Sequence, residues 1–335
     1  MQESIVLLVL VIFLGLIFDA INGFHDAANA IATSVSTRVL SPRTAIVMAA
    51  VLNLAGALAG TEVAKTVGAG LVLPSAVTQL TVVSALLSAT VWNLITWYFG
   101  LPTSSSHALM ASIVGAGIAT AGTGVVLWSG TQKVLLAIVF SPFIGFLFGF
   151  ILMVILMWVF SKAVPTRVTA IFRILQLFSA AYMAFSHGNN DAQKTMGIIT
   201  MSLVSFYGLK DFHVPFWVIV CAALAMGFGT AIGGWRIIRT LGMRLVPLKP
   251  IHGFAAEASA ATVIEVASHL GLPISTTHVI ASSIMGVGAS RRFSAVRWGV
   301  GWNIVIAWVL TLPACGLIAW SIMKILSEFF RSPYV

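Results

Sequence analysis

Two short stretches hold polar side chains in otherwise apolar surroundings. "NGFHDAANA" (22–30) carries Asn22, His25, Asp26 and Asn29, and "HGNNDAQKT" (187–195) carries His187, Asn190, Asp191 and Lys194. Asp26 and Asp191 stand 165 positions apart, each with a glycine three residues before it and an alanine after it. At helical spacing Asp19, Asn22, Asp26, Asn29 and Thr33 share one face, an array able to hold or relay a cation. Asn22, Asp26 and Asp191 are therefore candidate coupling-ion positions, and the two aspartates could hold a metal ion transiently. Lys194 stands where Asn29 stands in the first stretch, and two readings compete: it neutralises Asp191, or it faces an anionic substrate together with Asn29 and Asn190. His25 and His187 are either proton or substrate groups or hydrogen-bonded packing residues.

A second pair of stretches offers different chemistry. "GLPTSSSH" (100–107) and "GLPISTTH" (271–278) each place Gly and Pro, which stop a helix, before a hydroxyl triplet that can cap a new one. The triplets are Ser104, Ser105 and Ser106, and Ser275, Thr276 and Thr277. A helix start presents free N–H groups and the positive end of its dipole, and the hydroxyls add donors, so each triplet can bind a phosphate-like oxyanion. Two such starts converging from opposite sides would cradle a tetrahedral anion. The plain alternative is ordinary capping of two short helices. His107 and His278, near these serines, raise a third reading, a serine hydrolase, but no G-x-S-x-G or H-E-x-x-H is present and a nucleophile is not needed twice.

The elements that position these groups are membrane helices. The chain has 335 residues, 59% hydrophobic and 8% charged, with mean hydropathy +1.03. No charged residue occurs between Thr66 and Gln132, room for about three crossings at about 20 residues each. Continuous apolar runs without strand-like alternation predict an all-α polytopic membrane protein with roughly ten crossings or half-crossings. The first 20 residues read as a retained helix rather than a cleaved signal. A net charge of +9 fits positive loops better than nucleic-acid binding, and its scatter along the chain gives no orientation. Cys221 and Cys315 lack metal or redox spacing.

"GLPTSSSHALMASIVGAG" (100–117) pairs with "GLPISTTHVIASSIMGVG" (271–288), and "SPFIG" (141–145) with "LPACG" (312–316) in the same register. The chain is thus read as one membrane domain of two repeats, 1–160 and 161–335, with inverted topology and broken or re-entrant helices meeting at a midplane site. Gly23 and the Gly188-Asn189-Asn190 run predict local unwinding at the aspartates. Such repeats suit a transporter working by alternating access. A carboxylate at the bilayer centre costs about 2.5 to 3.5 kcal/mol, so the aspartates must serve a purpose. A structural membrane protein or receptor would show no uptake.

With "NGFHDAANA", "FSHGNNDAQK", "WNLITWYFGLPTSSSH" and "GLPISTTH", nearly the whole chain resembles the PiT family of inorganic phosphate transporters, and within it the bacterial low-affinity permeases. The resemblance implies inward phosphate symport at a plasma (inner) membrane, driven by protons or sodium, by a homodimer, with no cofactor. It also implies that Glu257 takes part in ion coupling and that Asn53 stands where sodium-coupled relatives have the partner glutamate. The missing carboxylate favours proton coupling, with phosphate carried as a complex with magnesium or another divalent metal. A sulfate permease of the same family is the main alternative. The short 205–215 segment leaves no room for the hydrophilic insertion of many members.

Overall fold

The computed structural model describes residues 4–73 and 77–331. Twelve α-helices account for most of these residues: α1 (Ile5–Ser36), α2 (Pro42–Ala57), α3 (Glu62–Ala69), α4 (Gln79–Phe99), α5 (Ser105–Ala121), α6 (Trp128–Val159), α7 (Pro165–Tyr207), α8 (Phe216–Ile232), α9 (Trp235–Arg239), α10 (Pro250–His269), α11 (Thr276–Arg291) and α12 (Trp298–Arg331). Among the described residues no strand forms beyond one isolated bridge, Val72 to Val126.

Five helices, α1, α4, α6, α7 and α12, are each long and apolar enough to cross a membrane. Two further spans are bent: α2 meets α3 at 73°, and α8 meets α9 and its wide-pitch continuation Thr240–Leu245 at 60°. The shorter α5, α10 and α11 complete the set. The fold is all-α and polytopic, with five candidate spans among the described residues, or seven with each bent pair taken as one, against the roughly ten crossings and half-crossings expected from composition.

Burial is inverted relative to a soluble protein. Phe143, Trp158, Phe178, Phe228 and Trp302 lie exposed on the outside, while Asp19, Asp26, Asn29, Asp191, Lys194 and Glu257 are buried at 0–2% exposure. Lipid solvates the first set, and the second must be satisfied within the protein.

Helix breaks fall where proline and the hydroxyl triplets put them. The α4 helix ends on Gly100 and α10 is followed by Gly271, both at φ +66°, a left-handed turn that suits glycine. Pro102 and Pro273 then keep the chain extended until α5 and α11 begin. Ser104 caps α5 by accepting from His107 N at 3.2 Å, and Ser275 caps α11 by accepting from His278 N at 3.1 Å.

The unwinding expected at the aspartate stretches does not occur: α1 and α7 run as unbroken helices through Gly23 and Gly188. Packing explains these glycines. A Cβ at Gly23 would collide with the backbone of Met226 and Thr230 on α8, and one at Gly188 with the backbone of Asn53 on α2. They let helix backbones touch, as small residues do in membrane bundles.

The basic residues also gather, contrary to their scattered look in the sequence. Arg38 and Arg43, Lys162 to Arg173, Arg236 to Lys249, and Arg291 to Arg297 lie in four segments that contain no Asp or Glu. The segments meet at one end of the bundle. Arg173 Nη2 donates to Arg38 O at 3.2 Å, the rings of Phe160, Phe172 and Phe254 are in contact, and Arg297 N donates to Leu245 O at 3.0 Å.

Candidate functional site

The starts of α5 and α11 converge on the middle of α1 and α7. Ser105 Oγ donates to Asp26 Oδ2 at 3.1 Å, and Thr276 Oγ1 donates to Asp191 Oδ2 at 3.0 Å. Thr277 Oγ1 reaches Asp26 Oδ1 at 3.4 Å, so Asp26 is touched by both short helices. Asn29 Nδ2 donates to Thr277 at 2.9 Å and to Thr276 at 3.3 Å. Its counterpart Lys194 makes the mirrored contact, donating to Ser106 Oγ, to Asp191 Oδ1 and, at 3.1 Å, to Ile274 O. Lys194 therefore neutralises Asp191 and touches a triplet hydroxyl at once.

Two histidines complete the carboxylate pair. His25 Nδ1 lies 2.7 Å from Asp26 Oδ1, and its Nε2 meets Thr96 Oγ1 at 3.1 Å, which in turn accepts from Thr103 at 2.9 Å. His187 Nε2 stands 3.3 Å from Asp191 Oδ2, and its Nδ1 faces Asn53 Oδ1 at 3.1 Å. One ligand atom each from Asp26, His187 and Asp191 lies within 4.8 Å of the other two. Two carboxylates this close repel one another unless a cation, a proton or hydroxyl donors stand between them. Thr96 and Gln176 were not singled out from the sequence, although each is a polar side chain at helical spacing from other polar residues in an apolar run.

Some expected site residues do other work. The hydroxyls of Ser104 and Ser275 cap their own helices, so the groups presented to the site are Ser105, Ser106, Thr276 and Thr277, together with first-turn N–H groups that lack intrahelical acceptors. The Asn190 amide donates to Ser268 Oγ at 2.9 Å and to Leu272 O at 3.4 Å, which ties α7 to the end of α10 and the turn before α11, while its Oδ1 has no partner among the described residues. Asn22 is buried on α1 with its Oδ1 unpartnered. Glu257 forms a separate centre: Thr33 and Gln176 donate to its Oε1 and Ser179 to its Oε2.

Asn53 is not the first-half counterpart of Glu257. It lies on α2, donating to Thr230 Oγ1 at 2.8 Å, whereas Glu257 lies on α10, the helix that precedes the second hydroxyl triplet as α4 precedes the first. His107 and His278 face each other, ring centroids 4.4 Å apart, and His278 stacks on Trp308 at 3.8 Å. Neither ring has a hydrogen-bond partner among the described residues, so no serine–histidine couple exists.

The arrangement gathers hydroxyl, amide, ammonium and helix-start donors around a pair of buried carboxylates. It can hold a tetrahedral oxyanion together with a proton or cation.

Comparison with known proteins agrees with this chemistry. Residues 22–319 match the phosphate transporter family. A probable low-affinity inorganic phosphate transporter of Rhizobium meliloti is 49% identical over 315 residues, covering 93% of this chain and 94% of that one. One of Bacillus subtilis with the same description is 46% identical over 336 residues, covering 97% and 100%. A solved structure described as the sodium-dependent phosphate transporter superposes with a TM-score of 0.87 at 26% identity, covering 97% of this chain and 100% of that one. These are transporters rather than enzymes, and the hydrolase reading ends here. By the extent of its match and the identity of its relatives, the chain belongs to the phosphate transporter family.

Proposed function

We propose that this protein imports inorganic phosphate across the inner membrane, coupled to protons, by alternating access. One observation carries the reading: two hydroxyl-bearing helix starts, from α5 and α11, meet the Asp26 and Asp191 carboxylates at one buried place. Ser105, Ser106, Thr276, Thr277, Asn29 and Lys194 hold the anion, and Asp26 and Asp191 take up coupling protons or accept the protons of the phosphate itself. Hydrogen phosphate has a hydroxyl to donate to a carboxylate, whereas sulfate has none and meets only repulsion there. That asymmetry favours phosphate over sulfate.

The two halves, 1–160 and 161–335, act as inverted repeats in this scheme. Arg173, near the start of α7, bonding just past the end of α1 supports opposite directions for those helices. The basic end faces the cytoplasm by the positive-inside rule. The α4–α5 hairpin then enters from outside and the α10–α11 hairpin from inside, so small relative motions of the two hairpins expose the site alternately. Inward phosphate movement against an inside-negative potential costs about 2.3 kcal/mol per charge per 100 mV, which coupled cations offset.

The donor set of Asp26, His187 and Asp191 also suits a divalent cation travelling with phosphate as cargo. Sodium coupling is the second reading, favoured by the description of the solved relative as sodium-dependent. A homodimer belongs to the same proposal and is tested by mass measurement in detergent. Labelled phosphate uptake into proteoliposomes, under a proton gradient or a sodium gradient and with or without magnesium, tests the whole scheme. Uptake that follows the pH gradient supports it, and uptake that needs sodium and ignores pH overturns the coupling.

A further inference from the structure

Asp19 is fully buried on α1, and neither of its carboxyl oxygens has a hydrogen-bond partner among the described residues. Among the described residues no Lys, Arg or His lies within ion-pair distance of it. It sits on the seam with α7: the Thr195 side chain faces it, and Gly15, one turn earlier, faces Ile199, one turn beyond Thr195. The Thr195 hydroxyl and the Asn22 Oδ1, one turn further along α1, are likewise unpartnered. The charged groups acting on Asp19 are Asp191 and Lys194 of α7, and Lys194 is already committed to Asp191. Of the other helices packed on α1, α8 carries only Cys221 among titratable groups, α4 only Tyr98 at its last turn, and α2 only Arg43 at its first, while Arg236, Arg239 and Arg244 of α9 and its continuation belong to elements that meet α1 further along, at Phe24 and Ala32. Glu257 of α10 is held by Thr33, four turns along α1 from Asp19, and His278 of α11 follows the Thr277 that bonds Asp26.

An ionised carboxylate with no donor, in the interior of a membrane bundle, is costly, and binding a proton removes that cost. Asp19 lies seven residues from Asp26, about 10 Å along the helix, so it is separate from the phosphate site yet on the same two helices. We infer that Asp19, facing α7 at Thr195, is a proton-binding site of the transport cycle distinct from the Asp26 and Asp191 pair. The proton enters and leaves as Asp19 moves between this closed seam and water during alternating access, with no bond change other than O–H formation and loss. This inference rests on the proton-coupled reading above.

The test uses the whole protein in proteoliposomes and two readouts: phosphate–phosphate exchange at equal pH, and the phosphate accumulation ratio against an imposed pH gradient. In the unmodified protein the ratio rises about tenfold per pH unit for each proton carried. Asp19→Asn is expected to retain exchange while losing one such factor of about ten per pH unit, and Asp19→Glu to restore it. An unchanged dependence on the gradient in Asp19→Asn overturns the inference. So does loss of exchange in both variants, the outcome of a packing or phosphate-binding role. A flat response in the unmodified protein means instead that the proton-coupled reading itself has failed.

Discussion

Thr276 on α11 donates to Asp191 on α7 at 3.0 Å, joining the second hydroxyl triplet to the second aspartate stretch across 85 positions of sequence. The first half makes the corresponding bond, Ser105 to Asp26, at 3.1 Å. In each case a donor at a helix start rests on a carboxylate in this state, ready to be shared with an anion placed between them.

Asp191→Asn is expected to abolish uptake while the protein still inserts. The change leaves the Lys194 ammonium buried without its counter-charge, a loss of about 3 to 5 kcal/mol for a broken buried pair. Pairing it with Lys194→Gln should recover thermal stability in detergent but not transport. Uptake at the normal rate by Asp191→Asn would remove Asp191 from the mechanism.

Ser105→Ala and Thr276→Ala each delete one donor to the anion. Hydrogen bonds to charged groups contribute about 1.5 to 3 kcal/mol, so half-saturation for phosphate should rise on the order of 10- to 150-fold in each variant. Ser104→Ala and Ser275→Ala, which delete caps, should instead lower stability by about 1 kcal/mol with a smaller effect on affinity. Concentration-dependent uptake and melting in detergent separate the two classes.

Glu257→Gln disturbs a hub that joins α1, α7 and α10 through Thr33, Gln176 and Ser179. Because this hub stands apart from the two triplets, the expected outcome is a lower maximal rate with unchanged half-saturation for phosphate. A raised half-saturation would place Glu257 at the anion instead.

Gly188→Ala forces a methyl group into the Asn53 backbone. Overpacking of this kind costs about 1 to 3 kcal/mol, and here it would push α2 from α7 and shift His187 against Asp191. Lower melting temperature and slower uptake should appear together.

Much of this was legible in the sequence. The duplicated aspartates and hydroxyl triplets could be read because each appears twice, in register, in surroundings where any polar side chain is conspicuous. Gly23 and Gly188 are ambiguous in sequence because glycine signals either a weak helix or a close approach of backbones, and only the neighbouring α8 and α2 decide which. Asn190 looked equivalent to its neighbours, yet it points to Ser268, since adjacent residues on a helix face different ways. The sidedness of the arginines was hidden because four segments distant in sequence meet only once the helices are packed.

That sidedness gives a prediction of its own. With Cys221 and Cys315 replaced, a cysteine at Arg292 should react with a membrane-impermeant reagent only from the cytoplasmic side, and one at Lys210 only from outside. The reverse pattern would invert the proposed orientation.

The most direct test of the central claim is equilibrium binding of labelled phosphate to the purified protein and to the combined Ser105→Ala, Thr276→Ala variant, with sulfate as competitor. The account predicts saturable binding by the unmodified protein that excess sulfate leaves in place, and loss of that binding in the variant. Equal binding by the variant, or displacement by sulfate as readily as by phosphate, would contradict a phosphate site built from the two helix starts and the aspartate pair.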